Sequence, residues 1–110
     1  MSHYYEEKDL ERFKEIGKYR PDLYDSFMNY YQGVMAEGAL SLREKALIAL
    51  AVAHSVQCPY CIDAYTRVSL EAGSNMEEMT EAIHVAAAIR GGAALIHGIQ
   101  AHNVAAKISI

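Results

Sequence analysis

Eight consecutive apolar residues, Ala46 to Ala53, follow closely on Ser41-Leu42-Arg43-Glu44, and the two signals together leave little choice of structure. Ser41 and Glu44 stand at capping-box spacing: the serine hydroxyl takes an N–H of the first turn, and the glutamate reaches back to the serine's own N–H. A helix therefore begins at Leu42. Its next turns are apolar on every side, which suits a helix buried inside a bundle or an assembly.

This helix runs on through His54 and Ser55-Val56-Gln57 to Cys58-Pro59-Tyr60-Cys61, which holds the only two cysteines of the 110 residues. A proline one residue after the first cysteine suits the first turn of a new helix, where its missing N–H has no partner to lose. Cys58 is then the N-cap and Cys61 lies one turn inside. Unpaired N–H groups and the positive end of the helix dipole favour negative charge on a sulfur placed there. Dithiol redox chemistry needs one sulfur to attack and a second within reach to resolve the product, and a helical C-x-x-C supplies both.

The rival for such a motif is structural zinc, which needs four ligands, usually a second cysteine pair or an H-x(3–5)-H pair. His97 and His102 offer the gap, but residues five apart on a continuous helix diverge by about 140° and do not converge on one ion. Redox is the better reading, with no metal expected. No P-loop or Rossmann glycine pattern is present to hold a nucleotide or flavin, so no cofactor is expected either.

Tyr65 follows Cys61 by four residues and so lies one turn along the same face, where a phenol can hydrogen-bond a thiolate or hydroperoxide. The plainer account is a core aromatic with a satisfied hydroxyl. His54 precedes Cys58 by four and suits a proton shuttle, though a lone histidine on an apolar helix is more often a hydrogen-bonded core residue. His84 and His97 on the last helix carry less weight, and His3 and His102 less again. Glu44 is explained by its cap.

The remaining segments read as helices. Lys8 to Lys18 is a short amphipathic one, with Leu10, Phe13, Ile16 and Gly17 to one side, serving as a lid or packing arm. Pro21 opens a second, with Leu23, Phe27, Tyr30/Tyr31 and Val34 at helical spacing. The helix after Cys58 extends to about Ala72, Gly73 suits its C-terminal turn, and Ser74 with Glu77 makes another capping box. The last segment, Met76 to Lys107, carries Gly91-Gly92 near its middle, at a cost of roughly 1 kcal/mol per glycine relative to alanine. Ala87, Gly91, Ala94, Gly98, Ala101 and Ala105 line up along one stripe, which lets another helix approach closely and offsets that cost through backbone packing. No strand alternation appears. The expectation is one all-α domain over residues 1–110, a bundle of about five to six helices with the C-x-x-C at a helix N-terminus, residues 1–20 forming a helical arm and 38–106 the core.

Hydrophobic residues make up 52% of the chain, enough that part of this surface is expected between subunits. A net charge of −4 gives no basic footprint for nucleic acid. The polar, acidic N-terminus has no apolar h-region, and the Ala46–Ala53 run is too short to span a bilayer, so no membrane partner and a cytoplasmic location are expected.

Arg43-Glu-Lys-Ala-Leu-Ile-Ala-Leu-Ala-Val-Ala-His54, Gln57-Cys-Pro-Tyr-Cys-Ile-Asp-Ala-Tyr-Thr66, the Glu-Ala-Gly at 71–73 and Gly91-Gly92 together resemble the carboxymuconolactone decarboxylase superfamily, specifically its AhpD-like alkylhydroperoxidase branch. Within it, the phrases around Cys58 resemble a peroxidase-like subgroup associated with arsenosugar biosynthesis. The resemblance implies an all-α fold assembling into trimers or hexamers. It also implies a peroxidase or disulfide-reductase activity that acts on a small-molecule oxidant and is recycled by a thiol reductant. By the family's order Cys61 is peroxidatic and Cys58 resolving, whereas helix-terminus physics alone activates Cys58. The sequence departs from the family's proton relay: Ala46 replaces a glutamate and Tyr65 a histidine. General acid–base help is worth roughly 10²–10⁴-fold, so another group has to supply it, and His54 is the natural substitute. Two alternatives stand beside this reading: a non-catalytic dithiol module that binds a soft metal or metalloid, and a decarboxylase-type lyase.

Overall fold

A computed structural model describes residues 6–108, which leaves His3 outside the described residues. The elements are a 3₁₀ arm, Glu7–Gly17, and four α-helices: α1 Pro21–Met35, α2 Leu42–Ser55, α3 Pro59–Glu71 and α4 Met76–Ile108. No strand occurs among the described residues, and the all-α expectation holds.

The arm is wound more tightly than an α-helix, and its sequence says why. Residues three apart eclipse in a 3₁₀ helix, and here Asp9, Arg12 and Glu15 pair at that spacing, Arg12 Nε donating to Glu15 at 2.9 Å. Leu10, Phe13 and Ile16 repeat at the same interval on another side. The arm packs on α1 through Gly17, where a Cβ would stand 2.7 Å from the Tyr24 ring, and through Phe13, whose ring lies 5.9 Å from that of Tyr24. It is a packing arm.

The core sits where α2 crosses α3 and α4. Ala46, Leu50 and Ala53 recur along one side of α2 and are buried, as are Met79 and Ala86 of α4 and Ser69 of α3. Small residues on α2 let the neighbouring helices come close. The Ser41–Glu44 capping box is formed in both directions. Across the bundle Arg43 pairs with Glu78, joining the first turns of α2 and α4.

Both tight turns are Schellman motifs. After α3, Gly73 (φ +95°) donates its N–H to the Leu70 carbonyl and Ser74 donates to Ser69 at 2.9 Å. The turn before α4 corrects the sequence reading by one residue, because the cap of α4 is Asn75, not Ser74. Asn75 Oδ1 accepts the Glu78 N–H at 2.8 Å while Glu78 Oε1 accepts the Asn75 N–H at 3.1 Å. Closing α3 turns Ser74 inward, where it is buried and unable to reach α4's first turn.

After α2 the same pattern recurs with Gln57 in glycine's place. Gln57 donates its N–H to the His54 carbonyl, Cys58 donates to Ala53 at 3.1 Å, and Gln57 holds φ +57°. A non-glycine residue in that region costs roughly 1–2 kcal/mol. Gln57→Gly is therefore expected to raise stability by about 0.5–1 kcal/mol, net of the added freedom of the unfolded chain. Urea unfolding measures it, and an unchanged or lower midpoint contradicts it.

α4 continues unbroken through Gly91-Gly92. Past Ala86, among the described residues, only Gly98 is even partly covered, and Leu95, Ile96, Ile99 and Val104 lie exposed. The radius of gyration is 18.9 Å, against about 13 Å for a compact domain of this length. Among the described residues α4 alone is long and apolar enough to cross a membrane by length and composition. That qualifies the sequence reading, which measured only unbroken apolar runs. Ala46–Ala53 is the longest of those, but α4 reaches a mean hydropathy of 1.4 over an 18-residue window.

Candidate functional site

The α2–α3 turn places Cys58 in two structures at once. Its N–H closes α2 on the Ala53 carbonyl, its carbonyl accepts the Ile62 N–H at 2.9 Å as the first bond of α3, and its sulfur accepts the Cys61 N–H at 3.2 Å. It is the N-cap of α3, with Pro59 in the first turn. Both cysteines are free thiols and half-buried. Burial pushes the Cys61 thiol up to about 11, with hydrogen bonding to the Cys58 sulfur adding to the rise. At neutral pH Cys61 therefore holds its proton beside the other sulfur.

Cys61 and Tyr65 line a cavity of about 500 Å³ whose other walls are Val34 and Met35 of α1, Leu40, Lys45, Val56, and Ile48, Ala49, Val52 and Ala53 of α2. Apart from Lys45 and the Tyr65 hydroxyl, the described residues line it with hydrocarbon or sulfur. Ile48, Val52 and Val56 remain more than half exposed, so the cavity opens to the surface along α2. Lys45 ties it together: Nζ donates to the Val34 and Ala36 carbonyls at 2.6 and 2.5 Å, satisfying the last turn of α1.

Tyr65 does not stand alone. Its hydroxyl is hydrogen-bonded to that of Tyr31 on α1, whose ring stacks on Phe27 at 6.2 Å. Burial, and then the bond to Tyr31, raise the Tyr65 phenol well above its ordinary value. It therefore keeps its proton at neutral pH, which suits a donor and not a base. Sequence spacing placed Tyr65 beside Cys61 but gave no sign of Tyr31, which comes from another helix 34 residues away.

His54 sits on the last turn of α2, half-buried, with Nδ1 within 2.9 Å of the Leu50 carbonyl. With Nδ1–H donating there, Nε2 is the nitrogen left to accept a proton. His54 is not among the residues lining the cavity. Ala46, where the resemblance implies a relay glutamate, is fully buried core. His84, His97 and His102 are exposed along α4, and no cluster of three or more His, Cys, Asp or Glu side chains able to hold a metal ion occurs among the described residues.

Residues 21–103 match the carboxymuconolactone decarboxylase family. A protein of Paracoccus denitrificans described as uncharacterized protein 4 in the cox locus is 44% identical over 84 residues, covering 76% of each chain. Among solved structures, a protein of Methanobacterium thermoautotrophicum superposes with a TM-score of 0.68 at 36% identity, covering 84% of this chain and 97% of that one. A carboxymuconolactone decarboxylase family protein from Legionella pneumophila, in its apo form, gives 0.70 at 28% identity, covering 94% of both.

Proposed function

The chain belongs to the carboxymuconolactone decarboxylase family, and from that premise we propose that it is an AhpD-like thiol–disulfide oxidoreductase, which reduces an apolar peroxide at Cys61 and stores the two oxidising equivalents as a Cys58–Cys61 disulfide. The observation that carries this reading is the cavity: a C-x-x-C thiol opens into an apolar chamber next to a protonated phenol.

The chemistry balances with the groups at hand. Once the pair has lost one proton, the other is held on Cys61 against the Cys58 sulfur. As Cys61 sulfur attacks the distal peroxide oxygen, the O–O bond breaks and the thiol proton passes to Cys58. The departing oxygen takes a proton and leaves as an alcohol. Cys58 then attacks the Cys61 sulfenic acid, forming the disulfide and releasing water. Each turnover leaves a disulfide that an external thiol reductant has to reopen.

The test is intact mass and thiol count of the reduced protein after brief exposure to cumene hydroperoxide. The expected result is loss of two hydrogens, disappearance of both thiols, one alcohol formed per chain, and recovery on adding dithiothreitol. Unchanged thiols together with saturable arsenite or zinc uptake would replace the enzyme with a non-catalytic dithiol module.

The exposed half of α4 supports a homo-oligomer as part of the same reading. Its small-residue stripe, Ala87 to Ala105, finds no covering helix among the described residues, and exposed apolar surface on this scale marks an interaction site. A second copy supplies what the stripe is shaped for, another helix at close range.

A further inference from the structure

The cavity explains what meets Cys61 but leaves one requirement open, the proton that the departing oxygen must take. Alkoxide is a strongly basic leaving group, and a thiol that attacks a peroxide beside a positioned acid gains roughly 10²–10⁴-fold over one that does not. Among the described residues no histidine lines the chamber. The only hydroxyl that the described residues bring to its wall belongs to Tyr65, and that hydroxyl is bonded to Tyr31.

We propose that Tyr65 is the catalytic acid of this site and Tyr31 its positioning residue: the Tyr31 O–H donates to the Tyr65 oxygen, aims the Tyr65 O–H into the cavity, and returns the proton that Tyr65 gives up. This inference rests on the dithiol reading above and adds to it the source of the proton. Three observations carry it. Tyr65 stands one helical turn from Cys61 on the same face of α3, and both line the same wall. Tyr31 reaches it from α1, outside the set of lining residues, so it bonds the phenol without touching the substrate. Tyr31 is itself fixed: its ring stacks on Phe27, and Lys45 clamps the last turn of α1 to α2. A phenol whose oxygen already accepts one hydrogen bond has its own O–H free to turn towards the chamber. The high value of the Tyr65 hydroxyl agrees, since it keeps the proton in place until a base as strong as alkoxide appears.

In the proton-transfer step the Tyr65 O–H bond breaks as the new O–H bond of the alcohol forms. Tyr31 passes its proton to the Tyr65 phenolate and is reprotonated by water. The phenols end as they began, and net consumption is one solvent proton, matching the one missing from the thiol pair.

The experiment compares two oxidants on wild type, Tyr31→Phe, Tyr65→Phe and the double variant, following thiol oxidation by stopped flow. Cumene hydroperoxide expels alkoxide and needs the acid. Perbenzoic acid expels carboxylate and does not. With cumene hydroperoxide, Tyr65→Phe is expected to be slower by about 10²-fold and Tyr31→Phe by about 10-fold, with the double variant no slower than Tyr65→Phe alone. With perbenzoic acid all four proteins are expected within about 2-fold of each other. Loss of a merely structural contact would slow both oxidants together, and that result overturns the proposal, as does a Tyr31→Phe protein that matches wild type with cumene hydroperoxide. In either case wild-type disulfide formation still stands. A wild-type protein inert to both oxidants removes the dithiol reading itself.

Discussion

Cys58→Ser is expected to stop at a sulfenic acid on Cys61, seen as the gain of one oxygen in intact mass and its capture by dimedone, while Cys61→Ser consumes cumene hydroperoxide at least about 10²-fold more slowly and gains nothing. Both variants lose the disulfide completely. The asymmetry follows from placement: Cys61 faces the cavity, whereas Cys58 is absent from its lining and spends its backbone on two helices and its sulfur on the Cys61 N–H. Serine is itself a good N-cap, so Cys58→Ser keeps the start of α3 and removes only the resolving thiol and the sulfur that takes the Cys61 proton. Cys61 oxidation in that variant is accordingly slower than in wild type but yields the same first product. If the oxygen is instead gained by Cys61→Ser, the helix-terminus argument wins and Cys58 is the attacking sulfur.

How much of this was legible in the chain depends on how local each signal is. Pro21, Ser41, Pro59 and Gly73 act within one turn of themselves, and the helices start or stop where those residues indicate. The capping box read at Ser74 slipped to Asn75 because the fold, not the tetrapeptide, decides which side chain turns inward. Gln57 gave no signal at all: glutamine carries no preference for positive φ, and only the demand to bring Cys58 back onto Ala53 holds it there. The same division runs through the site. Cys58, Cys61 and Tyr65 share one helix, so their spacing was readable, whereas Tyr31 and Lys45 join them only through tertiary packing of α1 on α2 and α3. His54 stands four residues before Cys58, but its ring lies on α2 and hydrogen-bonds the backbone one turn back.

The same reasoning bears on α4, whose stripe of small residues was visible in the sequence but whose partner was not. Gly98→Leu is expected to leave the single chain folded and to abolish its assembly, so that sedimentation shows one copy where wild type shows several. Nothing within 4 Å stands in the way of a Cβ at Gly98 in the isolated chain, and leucine for glycine improves helix propensity by roughly 0.8 kcal/mol, so helicity by circular dichroism should hold or rise. Between two helices at close approach, however, a leucine at the centre of the stripe separates the backbones and removes dispersion contacts along several turns. A Gly98→Leu protein that stays in several-copy form would mean that copies meet along another face, such as that bearing Leu95 and Ile99. A wild type that sediments as one chain, and requires detergent to stay in solution, would mean that lipid covers α4. The stripe itself calls for a second helix in either setting: hydrocarbon tails gain little from a row of glycine and alanine, whereas a second backbone can approach closely only where such a row exists.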